Sequence, residues 1–330
     1  MKLVVRIEFH LYHHKEEQRG HEVTEQCSCQ GCLRPSVFCQ QIKNEVDKLK
    51  QGLSVSTSDN YMTAIRSFQQ FLSEKLPQGF VDNNLMKQYE RWLREHQLCM
   101  NTISCYMRSL RSLASKVYGR KTRDMFSEVY TGRAETEKRA LQKSDIIKIQ
   151  EVKLRQNSFL ALVRDLFLFS FYALGMPFVD MAFLRKEQMS DGQIVYYRHK
   201  TGQRISMKIE PCMQKIINRY QTQNSYYVFP LLTTLDPDKA YEQYQEKLNR
   251  YNHELKHLAK LSGITKNLTS YVARHSWASA AYSDNVDLSV ISKALGHTNP
   301  QNTLIYLQQI DDQRIQKANR ELLKKYKYNF

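Results

Sequence analysis

Leu268-Thr269-Ser270-Tyr271-Val272-Ala273-Arg274-His275-Ser276-Trp277-Ala278 is followed by Ala294-Leu295-Gly296-His297-Thr298 and then by Thr303-Leu304-Ile305-Tyr306. Arg274 brings a permanently charged planar fork that can grip two non-bridging phosphate oxygens, a geometry an ammonium cannot match. His297 follows Gly296 at the end of a predicted helix containing Val290, Ile291 and Leu295, where a ring N–H can donate to a phosphate oxygen. Tyr306, one of 20 tyrosines, reads on its own as a core aromatic beside Leu304, Ile305 and Leu307. A phenol, with a reference pKa of about 10, attacks a phosphodiester only if its proton is removed and cations stabilise the developing charge. In a helix, positions 271, 274 and 275 share a face, so Tyr271 either offers a hydroxyl beside His275 or is a packing tyrosine.

Upstream, Ile194-Val195-Tyr196-Tyr197 and Ile205-Ser206-Met207-Lys208-Ile209 read as two strands around Lys200-Thr201-Gly202-Gln203, which places Lys200 on a hairpin turn. Phe159 to Ala173 reads as a buried helix, and Gly175-Met176-Pro177-Phe178-Val179-Asp180 follows it. Further back, Asn101-Thr102-Ile103-Ser104 opens a helix with Ile103, Met107, Leu110 and Leu113 on its apolar face. Between Met100 and Arg123 this segment carries Arg108, Arg111, Lys116, Arg120, Lys121 and Arg123 without one acid, a surface suited to phosphates or simply a solvated basic face.

Taken in order, Lys-Thr-Gly on a hairpin, Arg-His-x-x-Ala, Leu-Gly-His and a tyrosine nine residues after that histidine resemble the catalytic half of the tyrosine site-specific recombinases, the phage-integrase family of bacterial mobile elements. The resemblance runs over roughly residues 55 to 325. It implies a mainly α fold with a small antiparallel β-sheet: a helical, SAM-like core-binding domain and a catalytic domain forming a C-shaped clamp on double-stranded DNA. It also implies integration, excision or inversion through a 3′-phosphotyrosyl intermediate, with Tyr306 as nucleophile, Arg274 and His297 on the phosphate, and Lys200 protonating the departing 5′ oxygen. Strand energy is conserved in that link, so no nucleotide, metal or other cofactor is implied. A homo-tetramer on DNA and accessory DNA-bending proteins are the implied partners.

Two positions depart from the family pattern. Tyr271 stands where a histidine is expected three residues before Arg274, and Leu174 stands where the first active-site arginine is expected, beside Gly175-Met176. Loss of one preorganised charged donor typically costs about 3–4 kcal/mol, or 10²–10³ in rate. Arg164, Arg185 and Arg198 are candidates to compensate, and no spacing argument selects among them. Two functions therefore stand open: a recombinase, with turnover reduced unless the loss is compensated, or an inactive relative acting as an architectural or regulatory DNA-binding protein. A relaxing topoisomerase would share the chemistry.

The bulk properties agree with a polyanion partner. Across 330 residues, 49 Lys and Arg against 33 Asp and Glu leave a net charge of +16, which favours nucleic acid through counterion release. The longest apolar stretch, Leu166 to Val179, is shorter than the ~20 residues of a membrane span, and the N-terminus lacks an export signal, so a cytoplasmic location is expected. No internal repeat is visible, which excludes solenoids. Residues 1–52 are expected to be an extension of unknown role, 53–130 a helical domain, 131–139 a linker and 140–330 the catalytic domain with a C-terminal helix. Ser144 is a candidate cap for the first helix of that last domain. The C-terminal stretch from Ile315 to Tyr328 reads as a helix packed at home or lent to a neighbouring protomer. Cys27, Cys29, Cys32 and Cys39 cluster in the extension, as free thiols or as zinc ligands, and only Cys29 and Cys32 form a CxxC pair.

Overall fold

A computed structural model describes residues 33–49, 54–122, 124–134, 140–220 and 225–299, with a few single positions besides. The chain divides into two compact units, Met1–Thr136 and Glu137–Phe330. Both are mainly helical, and the second carries a small antiparallel sheet. No helix among the described residues is long and apolar enough to cross a membrane.

The first unit contains α1 (Pro35–Leu49), α2 (Val55–Lys75), α3 (Asn83–Glu95) and α4 (Met100–Tyr118). Ser54 caps α2 by accepting from the Thr57 amide at 3.3 Å, and Asp82 caps α3 by accepting from Leu85 at 2.8 Å. The apolar row expected on α4, Ile103, Met107, Leu110 and Leu113, is buried, and Leu85, Tyr89 and Trp92 are buried on α3. On α2 the buried positions are Ala64, Ile65, Phe68 and Phe71, while Tyr61 and Leu72 pack at the margin.

The expected extension ends earlier than residue 52, because α1 lies inside it and is part of this core. Phe38, Cys39, Ile42 and Val46 are buried on one face, and the Phe38 ring meets Phe68 edge-on at 5.9 Å. The physical reason is the spacing 38, 42, 46, a helical apolar row that the surrounding charges and cysteines obscure in the sequence. Cys39 packs in this core, where burial pushes its thiol up to about 12.

The second unit contains α5 (Lys143–Glu151), α6 (Phe159–Tyr172), α7 (Phe178–Ala182), α8 (Pro211–Tyr220), α9 (Pro237–Leu261), α10 (Val272–Ser283) and α11 (Leu288–Ala294). Its sheet has the order β1 (Met189–Ser190), β2 (Gln193–Tyr197), β3 (Arg204–Lys208), with Val195 opposite Ser206 in an antiparallel register. Alternation buries Ile194 and Tyr196 of β2 against Ile205 and Met207 of β3. Ser144 does not cap α5; the helix starts one residue before it, and the Asp145 carboxylate accepts instead from the Gln142 amide. α6 is apolar nearly all round and runs through the core, as its composition demands. Its one buried acid, Asp165, accepts from Arg164, Arg219 and the Tyr220 hydroxyl, tying α6 to the end of α8.

Because α1 is core, Phe38→Ala should destabilise the first unit by about 3–5 kcal/mol. Urea unfolding followed by Trp92 fluorescence in a Trp277→Phe background reads this directly, and an unchanged midpoint would return α1 to the status of an extension.

Candidate active site

Arg274 lies in the first turn of α10 and is only 2% exposed. Its position is fixed from below by Ser276, whose hydroxyl donates to Val272 O at 2.7 Å and accepts from the Leu141 amide at 2.8 Å. The guanidinium donates through Nη1 to Gly175 O at 3.0 Å and through Nη2 to Leu295 O at 2.6 Å. The turn that supplies Gly175 approaches α10 so closely that a Cβ on this residue would lie 3.0 Å from both Cα and Cγ of Arg274, and its φ is +71°. Glycine is required there on both counts.

Arg198, the residue after β2, is 5% exposed. Its Nη1 donates to the same Leu295 carbonyl at 2.7 Å, and its Nε lies 2.8 Å from Asp180 Oδ2 on α7, an ion pair with an oblique N–H. Asp180 Oδ1 accepts from the His199 amide at 3.0 Å. Burial lifts the Asp180 pKa above the ordinary carboxylate value, and Arg198 opposes that rise. Gly296 mirrors Gly175: its φ is +64°, and a Cβ there would come within 2.9 Å of Arg198 Cγ. Each buried arginine is thus met by a glycine whose missing side chain makes the room.

His297 follows α11 through Gly296, with its Nε2 3.2 Å from Arg274 Nη2 and its Nδ1 2.9 Å from the Thr303 hydroxyl. Burial first, then the charges of Arg274, Arg198 and Lys200, push its pKa down to about 4, so the ring is neutral at pH 7. A guanidinium can only donate, which assigns the proton to Nδ1 and leaves Nε2 as an acceptor. In this arrangement His297 Nε2 accepts from Arg274. Lys200 is exposed on the turn between β2 and β3, where Arg198 N donates to Gln203 O and Gly202 N to Arg198 O. The neighbouring Thr201 hydroxyl donates to Gly296 O at 3.1 Å and fastens this turn to the His297 loop. Tyr271 is 45% exposed at the start of α10, with its ring 6.0 Å from that of His275.

Arg274 and His297 lie side by side, Lys200 is exposed on the neighbouring hairpin turn, and Arg198 reaches the same Leu295 carbonyl as Arg274. Leu174 has a φ of 57° and packs against the core, and the whole turn 173–177 contains no guanidinium. Of the three candidate replacements, Arg164 is engaged with Asp165 and Val152 O, and Arg185 with Glu187 at the surface. Only Arg198 among these three converges on Leu295. A signal for it existed: Ile194, Tyr196 and Arg198 continue one alternating face, which puts a charge on the buried side of a strand end. Tyr306, most of the C-terminal stretch 315–328 and Cys27, Cys29 and Cys32 lie outside the described residues.

In the first unit, Arg108 and Arg111 line a shallow surface depression with Ser112, Ser127 and Thr131, while Lys116 is exposed further along α4. Arg108 Nε donates to Ser104 O at 3.2 Å, which holds the side chain along the helix. The Asn101 amide both donates to and accepts from the backbone of Ala134. Ser104 donates to Gly132 O at 2.6 Å, so the end of the unit is stitched to the start of α4. The side chains of Arg120 and Lys121, and Arg123 altogether, lie outside the described residues.

Comparison with known proteins gives the same architecture. The fold is similar to that of the Tn1549 transposon integrase in complex with transposon right end DNA, with a TM-score of 0.62 at 14% identity over 87% of this chain and 99% of that one. It is also similar to a lambda integrase dimer bound to a COC′ core site, at 0.61 and 13% over 81% and 76%, and to a lambda integrase tetramer bound to a Holliday junction, at 0.61 and 13% over 87% and 81%. No curated protein matches the chain by sequence. Residues 37–122 match the phage integrase SAM-like domain, a span that takes in most of α1. Residues 141–313, just over half of the chain, match the phage integrase family and contain every element that builds the Arg274 site, so the chain belongs to that family of tyrosine recombinases.

Proposed function

We propose that this chain carries out site-specific DNA recombination by cutting and rejoining strands through Tyr306, with Arg198 in place of the arginine missing from the turn 173–177. The observation that carries the reading is the convergence of two buried guanidiniums on Leu295 O beside a neutral histidine. Two arginines and one carboxylate leave a net positive charge in a buried place, with Lys200 adding another nearby, and a phosphodiester is the anion that fits such forks. In the proposed step the Tyr306 oxygen bonds to phosphorus as the bond from phosphorus to the 5′ oxygen breaks. The phenolic proton passes to a base, a role open to His297 Nε2 only once Arg274 turns from it to the phosphate, and Lys200 supplies a proton to the departing 5′ oxygen. Arg274 and Arg198 stabilise charge on the non-bridging oxygens. A 5′ hydroxyl from another strand reverses the step and joins the new pair. The basic face of α4 holds DNA through phosphates, and two strand exchanges need a homo-tetramer on the recombination site.

One observation favours the second reading, a DNA-binding relative without turnover: Arg198 is already paired with Asp180, which reduces the charge it offers a phosphate. A nicked suicide substrate separates the two. The wild type should form a protein–DNA adduct stable to denaturation, and Tyr306→Phe none. Arg198→Ala should form the adduct about 10²–10³ more slowly while still shifting DNA on a gel. No adduct with the wild type would leave the architectural reading, and wild-type rates in Arg198→Ala would remove Arg198 from the chemistry. For the first unit, Arg108→Ala and Arg111→Ala should each weaken binding evenly across DNA sequences and lower the salt slope by about 1. An unchanged slope would move the phosphate contacts off this face.

A further inference from the structure

Midway along α9 the sequence reads His253-Glu254-Leu255-Lys256-His257. The histidines are four positions apart, so one helical turn stacks them on one face. Their ring centroids are 4.8 Å apart, and His257 Nδ1 lies 3.1 Å from Glu254 Oε2. One nitrogen from each ring and one carboxylate oxygen all fall within 4.8 Å of one another. Leu255 and Leu258 on the other side of the helix are fully buried, which turns this trio outward, with both histidines exposed. Nothing in the Arg274 site uses these residues.

We infer that His253, Glu254 and His257 form a binding site for a borderline divalent cation of the zinc class. Two imidazole nitrogens and a carboxylate oxygen are donors such a cation prefers, whereas magnesium and calcium favour oxygen alone. Bond lengths of about 2.0–2.2 Å put neighbouring ligand atoms of a tetrahedral site roughly 3.4 Å apart. Rotation of exposed side chains covers the difference without moving the helix. The spacing is also that of the metallopeptidase helix, in which the glutamate acts on metal-bound water in a cleft. Here the donors sit on an outward face and Glu254 turns towards His257, so the fit is to a bound ion completed by solvent, not to a hydrolytic centre. Asn252, one residue earlier, accepts from the Ser270 amide at 2.8 Å, so the ion would brace the turn that carries the approach to α10.

Equilibrium dialysis of the full chain against zinc at about pH 7.5, where imidazoles are mostly neutral, tests this. The wild type should hold one more zinc ion per chain than the double variant His253→Ala, His257→Ala, and taking the difference removes any ions held by cysteines or histidines elsewhere. Glu254→Gln should weaken the same ion roughly 10–100-fold. Circular dichroism shows whether each variant keeps its helices. Equal zinc content and affinity in the wild type and the folded double variant would overturn the site.

Discussion

The carbonyl oxygen of Leu295, at the C-terminal end of α11, accepts hydrogen bonds from two buried guanidiniums. The last carbonyls of a helix have no partners within it and lie at the negative end of its dipole, so they are natural anchors for cations. Three elements distant in sequence depend on this one atom: the hairpin end that carries Arg198, the first turn of α10 that carries Arg274, and the Gly296–His297 loop that continues from α11. The positive φ of Gly296 turns the chain straight from the shared acceptor to the histidine.

Bringing two arginines out of water is costly unless their donors are met and their charge is opposed. Leu295 O and Gly175 O accept from the two guanidiniums, while Asp180 opposes the charge through an ion pair whose N–H is oblique. Burial first, and then this excess of positive charge, hold the His297 pKa well below the ordinary value. A core that served packing alone would gain nothing from such an arrangement. One that must receive a phosphodiester gains a site already charged, shaped and largely desolvated before DNA arrives.

Much of this was legible in the residues themselves. Spacing places the apolar face of α4, strand alternation places the hairpin, and the order of motifs selects Arg274 and His297, whose side chains meet. Alternation along β2 puts Arg198 on the buried face, but its partner is a backbone carbonyl 97 residues away, which no side-chain pattern reports. The burial of α1 is obscured in the sequence because its apolar positions are few and interrupted by charges, and the row 38, 42, 46 becomes evident only where Phe38 meets Phe68. The cap of α5 went to Gln142 and Asp145 because the helix begins one residue before Ser144, which places that hydroxyl beyond the N-cap position.

The charges of Arg274, Arg198 and Lys200 add to burial in keeping the half-buried His297 neutral. An NMR titration of the imidazole measures it. The pKa should lie near 4 in the wild type and move up in Arg198→Ala, and the folded state should lose stability as the pH falls from the ordinary histidine value of about 6.5 towards 4, since the unfolded chain takes up the proton first. A wild-type His297 that titrates near 6.5, or one indifferent to Arg198, would contradict the paired-guanidinium site.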